Sequence, residues 1–256
     1  NIIMNERSEP DPWSASTAAL YRELRRRVAE DDPAVLATIV DVEGSAYRRP
    51  GAKMLISPGD ESLGAITAGC LEGPVADIAA QVLEDGRPQI ETFDLRDDTE
   101  WGLGLGCNGT IDILLEPTDG SLDDGLATLA ERDPVMVLTA IDSTDSEVSV
   151  GDRTVLDASS DPFLSQSREP LPDALLSDLG LAVEKLRSEG DSTPVERTTD
   201  GGSVTIFIDC LKPVPRLLLF GSQNDVEPVS RLGREAGFEV VVASPRGAQA
   251  SNSTFL

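Results

Sequence analysis

Three stretches decide how this chain reads: EGSAYRRPGAKMLI at residues 43–56, LGAITAGCLEG at 63–73 and WGLGLGCNGTIDILLEP at 101–117. Two of the three cysteines lie in them, and each is set among glycines. Gly69 precedes Cys70 and Gly73 follows it; Gly106 precedes Cys107 and Gly109 follows it. Glycine lets the backbone turn through positive φ and lets a ligand come close to the main chain. A thiol in such a turn is accessible, whereas a structural cysteine normally sits on an apolar face. The plain alternative is two small residues in tight turns; the spacing favours a thiol-containing ligand site.

A second kind of chemistry flanks the first turn. Arg48, Arg49 and Lys53 bracket Pro50-Gly51 in a chain with 21 basic against 46 acidic residues. Three cations in six positions can hold a phosphate or another anion, although a solvated hairpin tip would look the same. Against so acidic a background the cluster stands out.

In order and spacing, GSAYRRPGAKML, AGCLEG and GLGCNG resemble the signature of the xanthine dehydrogenase accessory factor family (XdhC/CoxI). The resemblance covers residues 34–116 well and touches 213–247 weakly. Ala68 stands where the family has glycine, and Asn108 where the cysteine is followed by two glycines. Both thiols are kept, and only the shape of the second turn is affected.

Composition narrows the alternatives. At 256 residues the chain can bury a sizeable core and hold two domains. Its net charge is −25, and its only lysines are Lys53, Lys185 and Lys212. Apolar residues make up 39% and fall in strand-like runs, so the acidity does not signal disorder. A charged but well-patterned chain suits a high-salt, halophilic cytoplasm, where screening weakens self-repulsion. Nucleic acid and anionic membrane are not expected partners. With no histidine, Ser-His and Cys-His catalysis are excluded, and a four-ligand structural zinc has no donors at close spacing. No secretory signal or membrane-length apolar run is visible, which points to thiols in a reducing cytoplasm.

The expected fold class is α/β: an N-terminal mixed α/β cofactor-binding domain, then a partial, degenerate Rossmann-like β-α-β segment. Residues 5–13 read as a loose arm. Leu20, Leu24 and Val28 make an amphipathic helix over 16–30, with Arg25–Arg27 outward and Ser14 or Ser16 as cap. Strands are expected at 34–42, 53–57 and 63–67, the last leading into Cys70. Pro74 opens a helix to about residue 84, which places Cys70 just before a helix start, where amides and dipole favour a thiolate or an anion. Glu72 beside it is either a ligand contact or a helix cap. Further strands are expected near 89–95, 110–116, 135–141, 147–150, 153–156 and 204–211, with helices over 121–132 and 173–188. Residues 157–172 read as a loop. Cys210, in an alternating apolar strand, reads as a core residue.

Domain boundaries are expected at 14–211 and 213–256. In the second piece, RLLLFGSQNDVEPVSRLGREAGFEVVVASP outlines a strand, a turn, a helix and a strand. Gly221 holds the first glycine position of a dinucleotide turn, but Gln223 and Val226 occupy the others, and Ser244 replaces the acidic ribose partner. A working NAD site is therefore not expected. Two strands and one helix leave open edges, so the segment either continues or packs on the first domain or on a second copy, as in a homodimer.

The resemblance implies a chaperone for molybdenum cofactor (molybdopterin) more than an enzyme. It would assist the cofactor's sulfuration and insertion into a molybdenum hydroxylase such as xanthine dehydrogenase, with a sulfurtransferase as further partner. In that reading Arg48, Arg49, Lys53, Gly69, Cys70, Glu72, Gly106, Cys107 and Gly109 bind the cofactor, and Cys70 and Cys107 contact its molybdenum. Two other classes compete: an NAD-using oxidoreductase, and a thiol redox or persulfide carrier in which the two cysteines form a reversible pair.

Overall fold

The structure, a computed structural model, describes residues 17–59, 62–67, 69, 71–96, 108–118, 134–156, 162–163 and 169–243. Its helices are α1 (Thr17–Glu30), α2 (Glu72–Asp85), α3 (Asp173–Glu189) and α4 (Val226–Glu235). The strands are β1 (Val35–Ser45), β2 (Lys53–Ile56), β3 (Ser62–Gly64), β4 (Gln89–Asp94), β5 (Asn108–Pro117), β6 (Val135–Ser143), β7 (Arg153–Leu156), β8 (Pro162–Phe163), β9 (Thr193–Thr198), β10 (Ser203–Leu211), β11 (Arg216–Phe220) and β12 (Glu239–Ala243). The chain divides into two compact units, one spanning Leu20–Pro213 and the other holding Val214–Leu256 with residues 1–19. The expected arm, the Ser14 and Ser16 caps and the 121–132 helix lie outside the described residues.

The larger unit is built on two five-stranded antiparallel sheets, ordered β3-β2-β1-β5-β4 and β8-β7-β6-β10-β9. Alternation along β1 explains the layering. Val35, Ala37 and Ile39 point to α2, meeting Val75, Ala79 and Val82 on one helix face. On the opposite side, Leu36 packs in one cluster with Val135, Val137, Val155 and Leu211 of the second sheet, and Val40 packs with Phe207. The second sheet repeats the pattern outward, with Met136, Leu138 and Ala140 against Leu175, Leu179 and Val183 of α3. The order is helix, sheet, sheet, helix, and each leucine buried between layers is worth about 1.5–3 kcal/mol.

Helix ends follow from local chemistry. Gly86 and Gly190 close α2 and α3 in the left-handed conformation, their N–H groups bonding Val82 O and Leu186 O. The second helix starts at Glu72, two residues before the expected Pro74. Proline fits at its third position because the N–H there has no intrahelical acceptor. β3 stops at Gly64, short of the expected Thr67: at φ +92 a Cβ would stand 2.6 Å from Lys53 O, so the pleat ends there. The strand expected at 147–150 is instead a turn closed by Asp152 N–H to Ser149 O at 3.0 Å. β9 was not expected; it is an edge strand, where Pro194 and charged residues are tolerated. Arg27, expected outward, is buried and bonds Glu23.

The smaller unit forms a β-α-β arrangement. β11 and β12 pair in parallel from Arg216 with Glu239 to Phe220 with Ala243, and Gly233 of α4 lies against Leu217 and Val240. No helix among the described residues is long and apolar enough to cross a membrane.

Candidate functional site

Antiparallel pairing brings the described flanks of the three glycine-rich segments to one end of the first sheet. β1 ends at Ser45 beside Asn108, where β5 begins, and the 46–52 turn leads from it into β2. The 65–71 loop leaves β3 and the connection to β5 leaves β4 at this same end. With β2 and β1 between them, the mouths of β3 and β5 lie roughly 14 Å apart at about 4.8 Å per strand. Cys70, Gly106 and Cys107 lie outside the described residues; their flanks Gly69, Leu71 and Asn108 do not.

The loop bearing Gly69 is held at both ends. Ile66 and Leu71 are buried in the layer between α2 and the sheet. The Glu72 carboxylate accepts Thr67 N–H at 3.2 Å, the Thr67 hydroxyl at 2.6 Å and Leu71 N–H at 3.1 Å. Glu72 thus ties the 65–71 loop to the first residue of α2. Gly69 has φ +105, and no atom lies within 4 Å of where its Cβ would stand, so this turn faces open space. Gly109 is constrained differently. A Cβ there would overlap the Glu43 carbonyl and stand 2.8 Å from Ser45 N, so only glycine lets β5 pair this closely with β1.

The cations divide. Arg48 and Arg49 are exposed, the Arg48 guanidinium stands 5.5 Å from the Tyr47 ring centroid, and among the described residues no carboxylate pairs with either arginine. Lys53 departs from the expected phosphate role. Its side chain is only 6% exposed, bonds Gly51 O at 3.1 Å and forms an ion pair with Asp209 of β10, 8% exposed. A charge neutralised inside the sheet interface cannot neutralise a ligand at the rim. Arg96, at the end of β4, lies against Asp94 and holds its carboxyl below the usual range.

A recess of about 570 Å³ opens beside the start of α2, lined by the apolar Met54, Ile56 and Pro74 and the polar Ser62, Glu72 and Asp77. Cys210 is buried in the core between the second sheet and α3, as expected, and burial pushes its thiol up. Among the described residues no cluster of carboxylates and cysteines could hold a metal ion. Sequence reasoning missed Asp209 and Ser192, which lie under the arginine turn. The signal was there: DPAVLATIV at 32–40 and DPVMVLTAI at 133–141, then GAKMLI at 51–56 and GDRTVL at 151–156, repeat at near-constant spacing.

The fold is therefore that of an α/β protein with a doubled-sheet core and one glycine-rich sheet end. Residues 27–94 match the model of the XdhC and CoxI family. It is 32% identical over 230 residues to a Bacillus subtilis protein named as a probable xanthine dehydrogenase subunit, covering 88% of this chain and 64% of that protein. A crystal structure described as a xanthine dehydrogenase from Bacillus halodurans is similar at 30% identity with TM-score 0.62, over 86% of this chain and 61% of that one. The chain spans less than two thirds of the length of either relative.

Proposed function

We propose that this protein is an accessory factor that binds molybdenum cofactor and assists its sulfuration and delivery to a xanthine dehydrogenase-type enzyme. The observation that carries the reading is that the strand ends bounding the three glycine-rich segments, at Ser45 and Lys53, Gly64, Asp94 and Asn108, lie at one sheet end. The family-model match over residues 27–94 and the names of the two relatives support a maturation role. Arg48 and Arg49, both exposed, would meet the cofactor phosphate, with Gly69 leaving the backbone open to approach. The recess beside α2 has the volume of an ordinary small-molecule site and could take a flat heterocycle. Cys70 and Cys107 would supply soft sulfur donors to molybdenum. A xanthine dehydrogenase-type hydroxylase and a sulfurtransferase are the proposed partners, in the cytoplasm.

The test is to load the protein with molybdenum cofactor and measure retained molybdenum beside the melting temperature. Cys70→Ser and Cys107→Ser should lose metal while the fold survives, and Arg48→Ala with Arg49→Ala should weaken retention further. If all variants hold as much molybdenum as the parent, the glycine turns are only turns and the reading fails.

A further inference from the structure

The two sheets are related by an internal duplication. Strand order β3-β2-β1-β5-β4 matches β8-β7-β6-β10-β9 element for element, with α2 and α3 in equivalent places. The registers agree residue by residue: Thr38 pairs with Lys53 as Thr139 pairs with Arg153, and Leu36 with Glu116 as Val137 with Asp209. Both central strands carry a bulge at the same place, after Ile39 in β1 and after Ala140 in β6. The turns agree as well. Gly51 N–H bonds Ile39 O at 2.8 Å and Ile39 N–H bonds Ala52 O at 2.9 Å, while Gly151 and Ala140 repeat both bonds at the same lengths.

The ion pairs between the sheets are exchanged under this symmetry. Lys53 of the first half takes Asp209 of the second, and Arg153 of the second takes Glu116 of the first. The halves differ around them. Asp209 also accepts the Ser192 hydroxyl at 2.8 Å, and Ser192 accepts Cys210 N–H at 3.0 Å. The residue equivalent to Ser192 after α2 is Pro88, which has no hydroxyl. Gly51 sits on this cluster so closely that a Cβ would stand 2.9 Å from Ser192 Oγ and 3.2 Å from Asp209 Oδ1. Ser192 and Asp209 thus form the seat on which the Arg48-Arg49-Pro50-Gly51 turn rests.

We propose that Asp209, oriented by Ser192, is a positioning residue for the arginine turn. Through Lys53 and Gly51 it fixes where Arg48 and Arg49 present their charge to an anionic ligand such as a phosphate monoester. This rests on the reading of those arginines as the anion site. The exchanged pair Arg153–Glu116 has the same place in the fold but no part in holding that turn, so it serves as an internal control.

The experiment compares two paired replacements, Lys53→Met with Asp209→Leu and Arg153→Met with Glu116→Leu. Each removes a buried pair without stranding a charge, so both proteins are expected to fold. Amide exchange is read at Gly51 and Ala52 in each, beside the melting temperature. The first replacement should speed exchange at these two amides about tenfold or more, while the second leaves them near the parent rate. Ser192→Ala, a milder change, should speed the same amides by a smaller factor. Calorimetric titration with inorganic pyrophosphate should show weakened binding only for the first replacement and Ser192→Ala. Equal exchange at Gly51 and Ala52 in both paired variants, or no change in either, overturns the positioning role. If the parent itself binds no pyrophosphate, the anion-site reading falls, and the exchange comparison still decides the positioning claim.

Discussion

Arg153 of β7 reaches across the gap between the sheets and donates from Nη2 to both carboxylate oxygens of Glu116 on β5, each at 2.7 Å. Both side chains are almost wholly buried, 3% and 4% exposed, and Arg153 Nε also donates to Thr139 at 3.0 Å. Removing one partner leaves an uncompensated charge. Glu116→Gln should therefore cost about 3–5 kcal/mol in urea unfolding. Adding Arg153→Met to a Glu116→Leu background should recover most of that loss.

Two glycines should respond to alanine with opposite sign. Gly109→Ala drives a methyl into the Glu43 carbonyl and the Ser45 backbone, so β1 and β5 must separate. The expected loss is about 1–3 kcal/mol or more. Gly180, inside α3, has no atom within 4 Å of its would-be Cβ. Gly180→Ala should gain about 0.5–1 kcal/mol by the same urea measurement.

Tyr21 carries a buried hydroxyl without a hydrogen-bond partner among the described residues. Burial, with the nearby Asp209 charge as a lesser cause, pushes its phenol well above the usual value of 10.0. A folded value above the unfolded one means its contribution is fully present below the unfolded value and is lost as pH rises through the folded one. Tyr21→Phe should remove this alkaline loss and, by deleting an unsatisfied group, add about 1 kcal/mol at neutral pH. Unfolding midpoints from neutral to strongly alkaline pH check both effects.

Gly221 N–H bonds Ala243 O at 3.0 Å, and the turn before α4 closes through Val226 N–H to Gln223 O at 3.1 Å. With Gln223 where the backbone of a dinucleotide site must approach pyrophosphate, NAD titration followed by fluorescence should show no micromolar binding. Gln223→Gly alone should not create it. Ser244, the other expected loss, lies outside the described residues.

The formal charge of −25 should make stability depend on salt. Short Debye lengths suppress repulsion among the carboxylates, so the melting temperature should rise from dilute buffer into molar potassium chloride. A flat or falling curve would contradict this.

Legibility in the sequence followed burial. Runs such as 135–141 and 204–211, apolar on both faces, read as strands because both of their faces are covered. The 173–188 helix was visible through Leu175, Leu179, Val183 and Leu186, all of which meet one sheet. β9 was not, because an edge strand reading Thr-Pro-Val-Glu-Arg-Thr keeps neither alternation nor apolar content. The glycines at Gly64 and Gly109 stood out in the sequence, since the close approach they permit is local. Lys53 could not be placed, because its partner lies in a different half of the chain and charge alone does not tell a rim cation from a buried one. Asp209 could be found only through the internal repeat, not from its own surroundings.

The pairing of β1 with β5 joins Val35 to Pro117, and that of β6 with β10 joins Val135 to Leu211. In each half the middle of the sheet is thus the last part that can zip, because its two strands stand at opposite ends of the half. Such non-local closure is slow compared with hairpin formation. On a ribosome, the first sheet can complete once residue 117 has emerged, but Lys53 then waits with its inner face bare until Asp209 is made. Synthesis order makes joining of the halves the final event, and a pause between them would expose the apolar inner face to any passing partner.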